Sequence, residues 1–243
     1  MTYVISDIHG RLRMFESVLG KISLSPSDKL IINGDMIDRG EDSLGVVRLV
    51  RSLPNTTVLI GNHESMMIDF HKGRGMDWVS SRNGGRETIQ QLSSLSDGEI
   101  AELLVYFGFL PYFVMLPEYN CMVIHAGISP NTNFENPTTY DYSQFVWIRN
   151  AFIKRKTNRG FVTIFGHTVT GLLHNDKSFG IWLDEENEDK VCIDCGAAYA
   201  DTHDTRLAAL RLDDGQVFYS DEYTDKYGNN ISEFLRKKPT IVG

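Results

Sequence analysis

Three short strings in the first quarter of the chain constrain it most: Ser6-Asp7-Ile8-His9-Gly10, Gly34-Asp35-Met36-Ile37-Asp38-Arg39-Gly40 and Gly61-Asn62-His63-Glu64. Each follows a short run of β-branched and aliphatic residues, and each sets carboxylate, imidazole or amide groups beside glycine. The pattern predicts three strands that end in polar turns, with the polar groups gathered at the ends of adjacent strands. Hard divalent cations take such oxygen-rich sites, and imidazole shifts the preference toward Mn, Fe or Zn. Two cations a few Å apart suit phosphoester hydrolysis.

The rest of the chain supports one α/β domain over residues 1–243, long enough for a full core. Strand-like runs fall at 3–6, 30–33, 57–60, 112–116, 121–125, 162–165, 190–194, 206–212 and 217–220. Pro117-Glu118-Tyr119-Asn120 and Asp213-Asp214-Gly215 read as hairpin turns. Helical spacing appears at 11–21 and 43–53, and 97–107 reads as an amphipathic helix. The stretch 65–110 is otherwise the least regular. It carries Trp78, Arg82 and Arg86 and is a candidate cap over the site, with Asn83-Gly84-Gly85-Arg86 read as a turn. Strand–helix alternation early and strands later suggest two mixed sheets packed as a sandwich and flanked by helices.

Composition excludes several classes. No apolar run reaches the ~18 residues that span a bilayer, and no basic-then-apolar leader opens the chain, so a cytoplasmic protein without membrane partners is expected. The net charge of −8 disfavours nucleic acid. The basic run Lys154-Arg155-Lys156 with Arg159 reads as a solvated helix end or loop. Three cysteines make no disulfide framework. Cys192 and Cys195 form a C-x-x-C, but three positions apart on a strand they point to opposite faces, which argues against a redox or zinc pair.

Further motifs follow in order: His125-Ala126-Gly127, Trp147-Ile148-Arg149 and Gly166-His167-Thr168. The whole series resembles the PPP family of metal-dependent phosphoprotein phosphatases, in its small bacterial and phage branch, within the calcineurin-like metallophosphoesterases. The resemblance runs from Asp7 to about Gly196, with Ser6 where many relatives have Gly. It implies the four-layer metallophosphoesterase fold and a dinuclear centre. Asp7 and His9 would bind the first metal, Asp35 would bridge, and Asn62, His125 and His167 would complete the second. Two divalent ions are implied, Mn²⁺ favoured, with Fe or Zn²⁺ admitted. A bridging carboxylate offsets repulsion between two cations, and the neutral amide of Asn62 keeps the site from excess negative charge.

By the same resemblance Arg39 and Arg149 would hold the phosphate, since guanidinium matches two phosphate oxygens. His63 would protonate the leaving alkoxide, with Asp38 holding its ring. Attack would come in line from metal-bound hydroxide, without a phosphoenzyme. Glu64 reads as a supporting carboxylate near Asn62, and His71, His174 and His203 match no motif. The expected activity is a phosphomonoesterase on phosphoserine or phosphothreonine, with phosphotyrosine open, in a phosphorylated protein or peptide partner. A symmetrical dinucleoside tetraphosphate hydrolase is the alternative, and Asp38-Arg39 favours the phosphatase branch. A binding module with a decayed centre is disfavoured by the complete donor set.

Overall fold

The computed structural model describes residues 1–237. Among the described residues ten strands run in chain order: β1 (Thr2–Ile5), β2 (Lys29–Asn33), β3 (Thr56–Leu59), β4 (Phe113–Leu116), β5 (Cys121–Ile124), β6 (Val162–Phe165), β7 (Trp182–Leu183), β8 (Lys190–Cys192), β9 (Ala208–Arg211) and β10 (Val217–Tyr219). They form two mixed sheets of order β10-β9-β1-β2-β3 and β4-β5-β6-β8-β7. Parallel strands β1–β2–β3 and β5–β6–β8 run through the two sheets; antiparallel β9 and β10 extend the first beyond β1 and leave β3 as its parallel edge, and antiparallel β4 and β7 close the second.

Alternation along each strand builds the layers, because successive side chains point to opposite faces. Val4, Ile31 and Leu59 pack between the sheets against Val123, Ile164 and Val191. Their neighbours Ile5, Leu30 and Ile32 face the other way, onto Phe15, Val18 and Val47 of helices α1 (Leu12–Ile22) and α2 (Ser43–Ser52). On the far side Met122, Ile124 and Phe165 bury against Phe145 and Phe152. The result is helix, sheet, sheet, helix, as the sequence predicted. In α1, Phe15, Val18 and Ile22 supply the buried stripe, each contributing about 1.5–3 kcal/mol, and Ser23 in the left-handed region (φ 47°) ends the helix.

The stretch 65–110 is more regular than its sequence suggests. It holds most of α3 (Asn62–His71), a short 3₁₀ turn (Met76–Val79), α4 (Gly85–Leu92) and α5 (Asp97–Gly108). The first turn of α3 buries Asn62, His63 and Glu64, so polar residues occupy the inward face and hide the helical period. Gly85 and Arg86, read as part of a turn, open α4 instead. The two-residue β7 is too short to carry a period. Cys192 packs in the outer core with Phe152 and Cys195 between the sheets, so the two thiols face apart as expected. No helix among the described residues is long and apolar enough to cross a membrane.

Candidate metal centre and active site

Five of the six motifs lie just past the C-terminal end of a parallel strand, where crevices form in open α/β sheets, and Trp147-Ile148-Arg149 instead ends the short helix Tyr142–Trp147. Asp7 and His9 follow β1, Asp35, Asp38 and Arg39 follow β2, and Asn62 and His63 follow β3. His125 follows β5 and His167 follows β6. The turns are tight. Asp7, His9, Asp35, Asp38, Arg39 and His167 all adopt positive φ, between 49° and 73°. Such non-glycine conformations cost on the order of 1 kcal/mol or more each and persist where surroundings over-determine them. Gly34 (φ +79°) shows the crowding: a Cβ there would lie 2.7 Å from the Gly61 backbone and 2.8 Å from His125 Nδ1.

Two groups of donor atoms converge, each within 4.8 Å: His9, Asp35 and His63, then Asp35, His125 and His167. Asp35 belongs to both. Its Oδ2 lies 3.4 Å from His125 Nε2, 3.5 Å from His9 Nε2 and 3.9 Å from His63 Nε2. Asn62 Oδ1 sits 3.0 Å from His125 Nε2 and 2.7 Å from His167 Nδ1. Backbone carbonyls aim the rings. His9 Nδ1 donates to Ile37 O (3.1 Å) and His125 Nδ1 to Asn33 O (2.9 Å), which leaves both Nε2 atoms for the centre.

The charges suit divalent metal. Burial alone would raise the Asp35 carboxyl, but His125, His63 and His9 around it hold it well below the usual range. Burial, reinforced by neighbouring imidazoles, pushes His9 and His167 well below the usual imidazole value. Neutral imidazole beside ionised carboxylate is the donor form that metals take; His125, where burial is outweighed by Asp35 and Asp7 and the imidazole is pushed up to about 10, must give up a proton to join them. His167 Nε2 is buried with no hydrogen-bond partner among the described residues, a vacancy in the polar accounting that coordination would fill. Asp7 lies outside both groups. Its carboxylate accepts from the Ser6 hydroxyl and, at 3.1 Å, from His167 N–H. The sequence paired Asp7 with His9; the structure sets His63 beside His9 and Asp35.

His63 Nδ1 donates to Asp38 Oδ2 at 2.6 Å. Glu64 braces the loops, accepting from the N–H groups of Asp35 (2.9 Å), Met36 (2.8 Å) and Gly61 (2.9 Å). Burial and the nearby Asp35 charge push Glu64 up to about 7. Arg149 is exposed and anchored, its Nη1 donating to His167 O (2.6 Å) and Thr168 Oγ1 (3.0 Å). Half-buried Arg39 lies 5.1 Å from the ring of Tyr199.

Sequence reasoning missed Asp194 and Thr88, and it set Trp78 in a cap over the site, whereas the indole N–H reaches Asp38 from behind. Asp194 follows β8 as the other donors follow their strands, and it adds to burial in pushing the Asp7 carboxyl upward. That repeated strand-end position was its available signal. Thr88 reaches Asp38 from the same stretch 65–110 as Trp78, with no motif to mark it. Outside the site, His174 Nε2 lies 3.0 Å from Ile181 O and His71 Nδ1 3.0 Å from Met67 O.

The profile of the calcineurin-like phosphoesterases matches residues 2–204. The chain belongs to that family. It is 30% identical over 141 residues, 57% of its length, to a symmetrical bis(5'-nucleosyl)-tetraphosphatase of Psychromonas ingrahamii. That match covers 48% of the tetraphosphatase, so the chain spans about half the length of this relative. It is 36% identical over 177 residues to serine/threonine-protein phosphatase 2 of Escherichia coli, covering 69% of this chain and 79% of that protein. Among solved structures, a candidate diadenosine tetraphosphatase aligns with TM-score 0.65 at 22% identity, over 90% of this chain and 91% of that one. A serine/threonine phosphatase from Saccharomyces cerevisiae aligns with TM-score 0.60 at 16% identity, over 86% and 71%. Both likenesses are of fold.

Proposed function

We propose that this protein is a metal-dependent phosphomonoesterase that acts on phosphoserine and phosphothreonine in proteins, with phosphotyrosine within reach. Asp7, His9, Asp35, Asn62, His125 and His167 would hold two divalent cations, Mn²⁺ first among the candidates. Bound there, the cations would polarise the phosphoryl group and lower the pKa of water. The protein's own part is separate. Arg39 and Arg149 grip the phosphoryl oxygens and offset charge as it builds. His63 gives the proton on Nε2 to the leaving oxygen, and Asp38 holds the ring through Nδ1.

The observation that carries the substrate class is the burial of Trp78. A cap built from 65–110 to hold a dinucleotide would offer this aromatic ring to a base, yet the ring is 0% exposed and its N–H is spent on Asp38. The fuller cover of the bacterial protein phosphatase, 79% against 48% of the tetraphosphatase, supports the same reading. The second reading, a symmetrical dinucleoside tetraphosphate hydrolase, is favoured by two exposed rings beside the arginines. Trp147 is 45% exposed and stands edge-on to His167, and Tyr199 is 40% exposed against Arg39. Comparing kcat/KM for phosphopeptides, p-nitrophenyl phosphate and diadenosine tetraphosphate, with Mn²⁺ and with EDTA, tests both. Phosphopeptides should be preferred and EDTA should abolish turnover. A dinucleotide kcat/KM well above every phosphopeptide reverses the assignment.

A further inference from the structure

We propose that Trp78 and Thr88 are positioning residues for the acid: together they lock the Asp38 carboxylate, and through it the ring of His63. The inference rests on the reading of His63 as proton donor. The Trp78 indole Nε1 donates to Asp38 Oδ2 at 2.6 Å, the oxygen that also accepts from His63 Nδ1 at 2.6 Å. The Thr88 hydroxyl donates to Oδ1 at 2.5 Å. Both carboxylate oxygens are thus held, and Asp38, Trp78 and Thr88 are each 0% exposed, so water cannot substitute for a lost donor. Thr88 Oγ1 also takes the Asp38 backbone N–H at 3.1 Å, sharing it with Ser43 Oγ at 2.9 Å. The Thr88 hydroxyl therefore touches both backbone and side chain of a residue held at φ 73°.

The indole is itself immobilised. Its ring centroid lies 5.2 Å from that of Phe70, and a Cβ on Gly85 would fall 2.7 Å from Trp78 Cε2, so glycine there makes the room. A carboxylate bonded to His63 alone could rotate and carry Nε2 off its line. With three donors on two oxygens it cannot, and the acid stays within the narrow geometry that proton transfer in the transition state needs. Trp78 comes from the 3₁₀ turn and Thr88 from α4, so the stretch 65–110 acts behind the acid.

Trp78→Phe removes the N–H and keeps a ring, Thr88→Val removes the hydroxyl and keeps the shape, and Thr88→Ser returns the hydroxyl. Each Mn²⁺-loaded variant is assayed on a phosphoserine peptide and on p-nitrophenyl phosphate, with His63→Asn as reference and bound Mn²⁺ counted. Trp78→Phe and Thr88→Val should lower kcat on the peptide roughly tenfold more than on the aryl ester, with KM little changed. Thr88→Ser should restore the ratio. In the metal-free protein the His63 Nδ1 proton should appear far downfield in the ¹H spectrum, broaden in both variants and return in Thr88→Ser. An unchanged peptide-to-aryl ratio in both variants, while His63→Asn shifts it, overturns the positioning role. An unchanged ratio in His63→Asn refutes the acid assignment instead, and the proposal with it.

Discussion

His125 and Asn33 join the two sheets at the edge where the ligand loops emerge. The His125 Nδ1 donates to the Asn33 carbonyl at 2.9 Å, and Asn33 Nδ2 donates to the Ile124 carbonyl at 3.0 Å. One sheet thereby sets the tautomer and aim of a histidine that belongs to the other.

Asn33→Ala should then do two things at once. It removes a fully buried cross-sheet hydrogen bond, which costs about 1–3 kcal/mol when the partner is left unpaired. It also frees the β5 end to move, so Mn²⁺ should bind more weakly. Urea melts and a Mn²⁺ titration on the same preparation check both. Wild-type stability together with wild-type Mn²⁺ affinity would show that the link is incidental.

Asp35→Asn should empty the centre of both cations, and His167→Ala of one. Asp35 is shared by the two donor groups, whereas His167 belongs to one. Losing the shared negative charge leaves two cations repelling each other with less compensation. Metal per chain, measured after gel filtration, distinguishes the two variants. Equal loss in both would deny Asp35 a bridging place.

Arg39→Ala and Arg149→Ala should weaken alkyl and aryl phosphates alike. Each removes a charge-assisted grip worth roughly 1.5–3 kcal/mol, or about 10–100-fold in kcat/KM. Inhibition by inorganic phosphate should weaken in step. His63→Asn should behave differently, sparing p-nitrophenyl phosphate and costing poor leaving groups about 10²–10⁴-fold. A steep dependence on leaving-group pKa in the arginine variants would redraw these roles.

The metal-free protein should lose stability as pH rises through the range set by Asp194. Burial, and then repulsion from Asp35, push this carboxyl from 3.8 up to about 6, partly offset by the Gly196 N–H, Arg39 and Arg149. Because the folded value is raised, the folded state keeps its proton between pH 4 and pH 6 while the unfolded chain gives it up. The favourable contribution is therefore complete below about pH 4 and gone above about pH 6, a change on the order of 3 kcal/mol. Asp194→Asn cannot ionise and should make that slope shallower, leaving the part that Glu64, also raised to about 7, contributes. Thermal melts in EDTA from pH 4 to pH 8 show it, and an identical slope in the variant would assign the effect elsewhere.

Much of the site was legible because its grammar is local. A short aliphatic run followed by a polar turn with glycine predicts strand and ligand loop within about ten residues, and Asp35, Asn62 and His125 emerge from strand ends as that pattern requires. Glu64 was legible for the same reason: its partners at Gly61, Asp35 and Met36 all belong to the motifs. The opposed faces of Cys192 and Cys195 followed from the two-residue period alone.

Sequence by itself determined the donor types, their strand-end positions and the layered α/β architecture, since these depend on alternation and turns along contiguous chain. Tertiary structure alone decided which donors meet. It set His63 beside His9 and Asp35, brought Asp194 close to Asp7, and carried Trp78 and Thr88 to Asp38 across 40 and 50 positions of sequence. It also wound α3 out of a stretch without a visible apolar stripe, because the inward face of its first turn carries Asn62, His63 and Glu64. Contacts of that range follow from how two sheets and their helices pack, and no local run of residues encodes the packing of another.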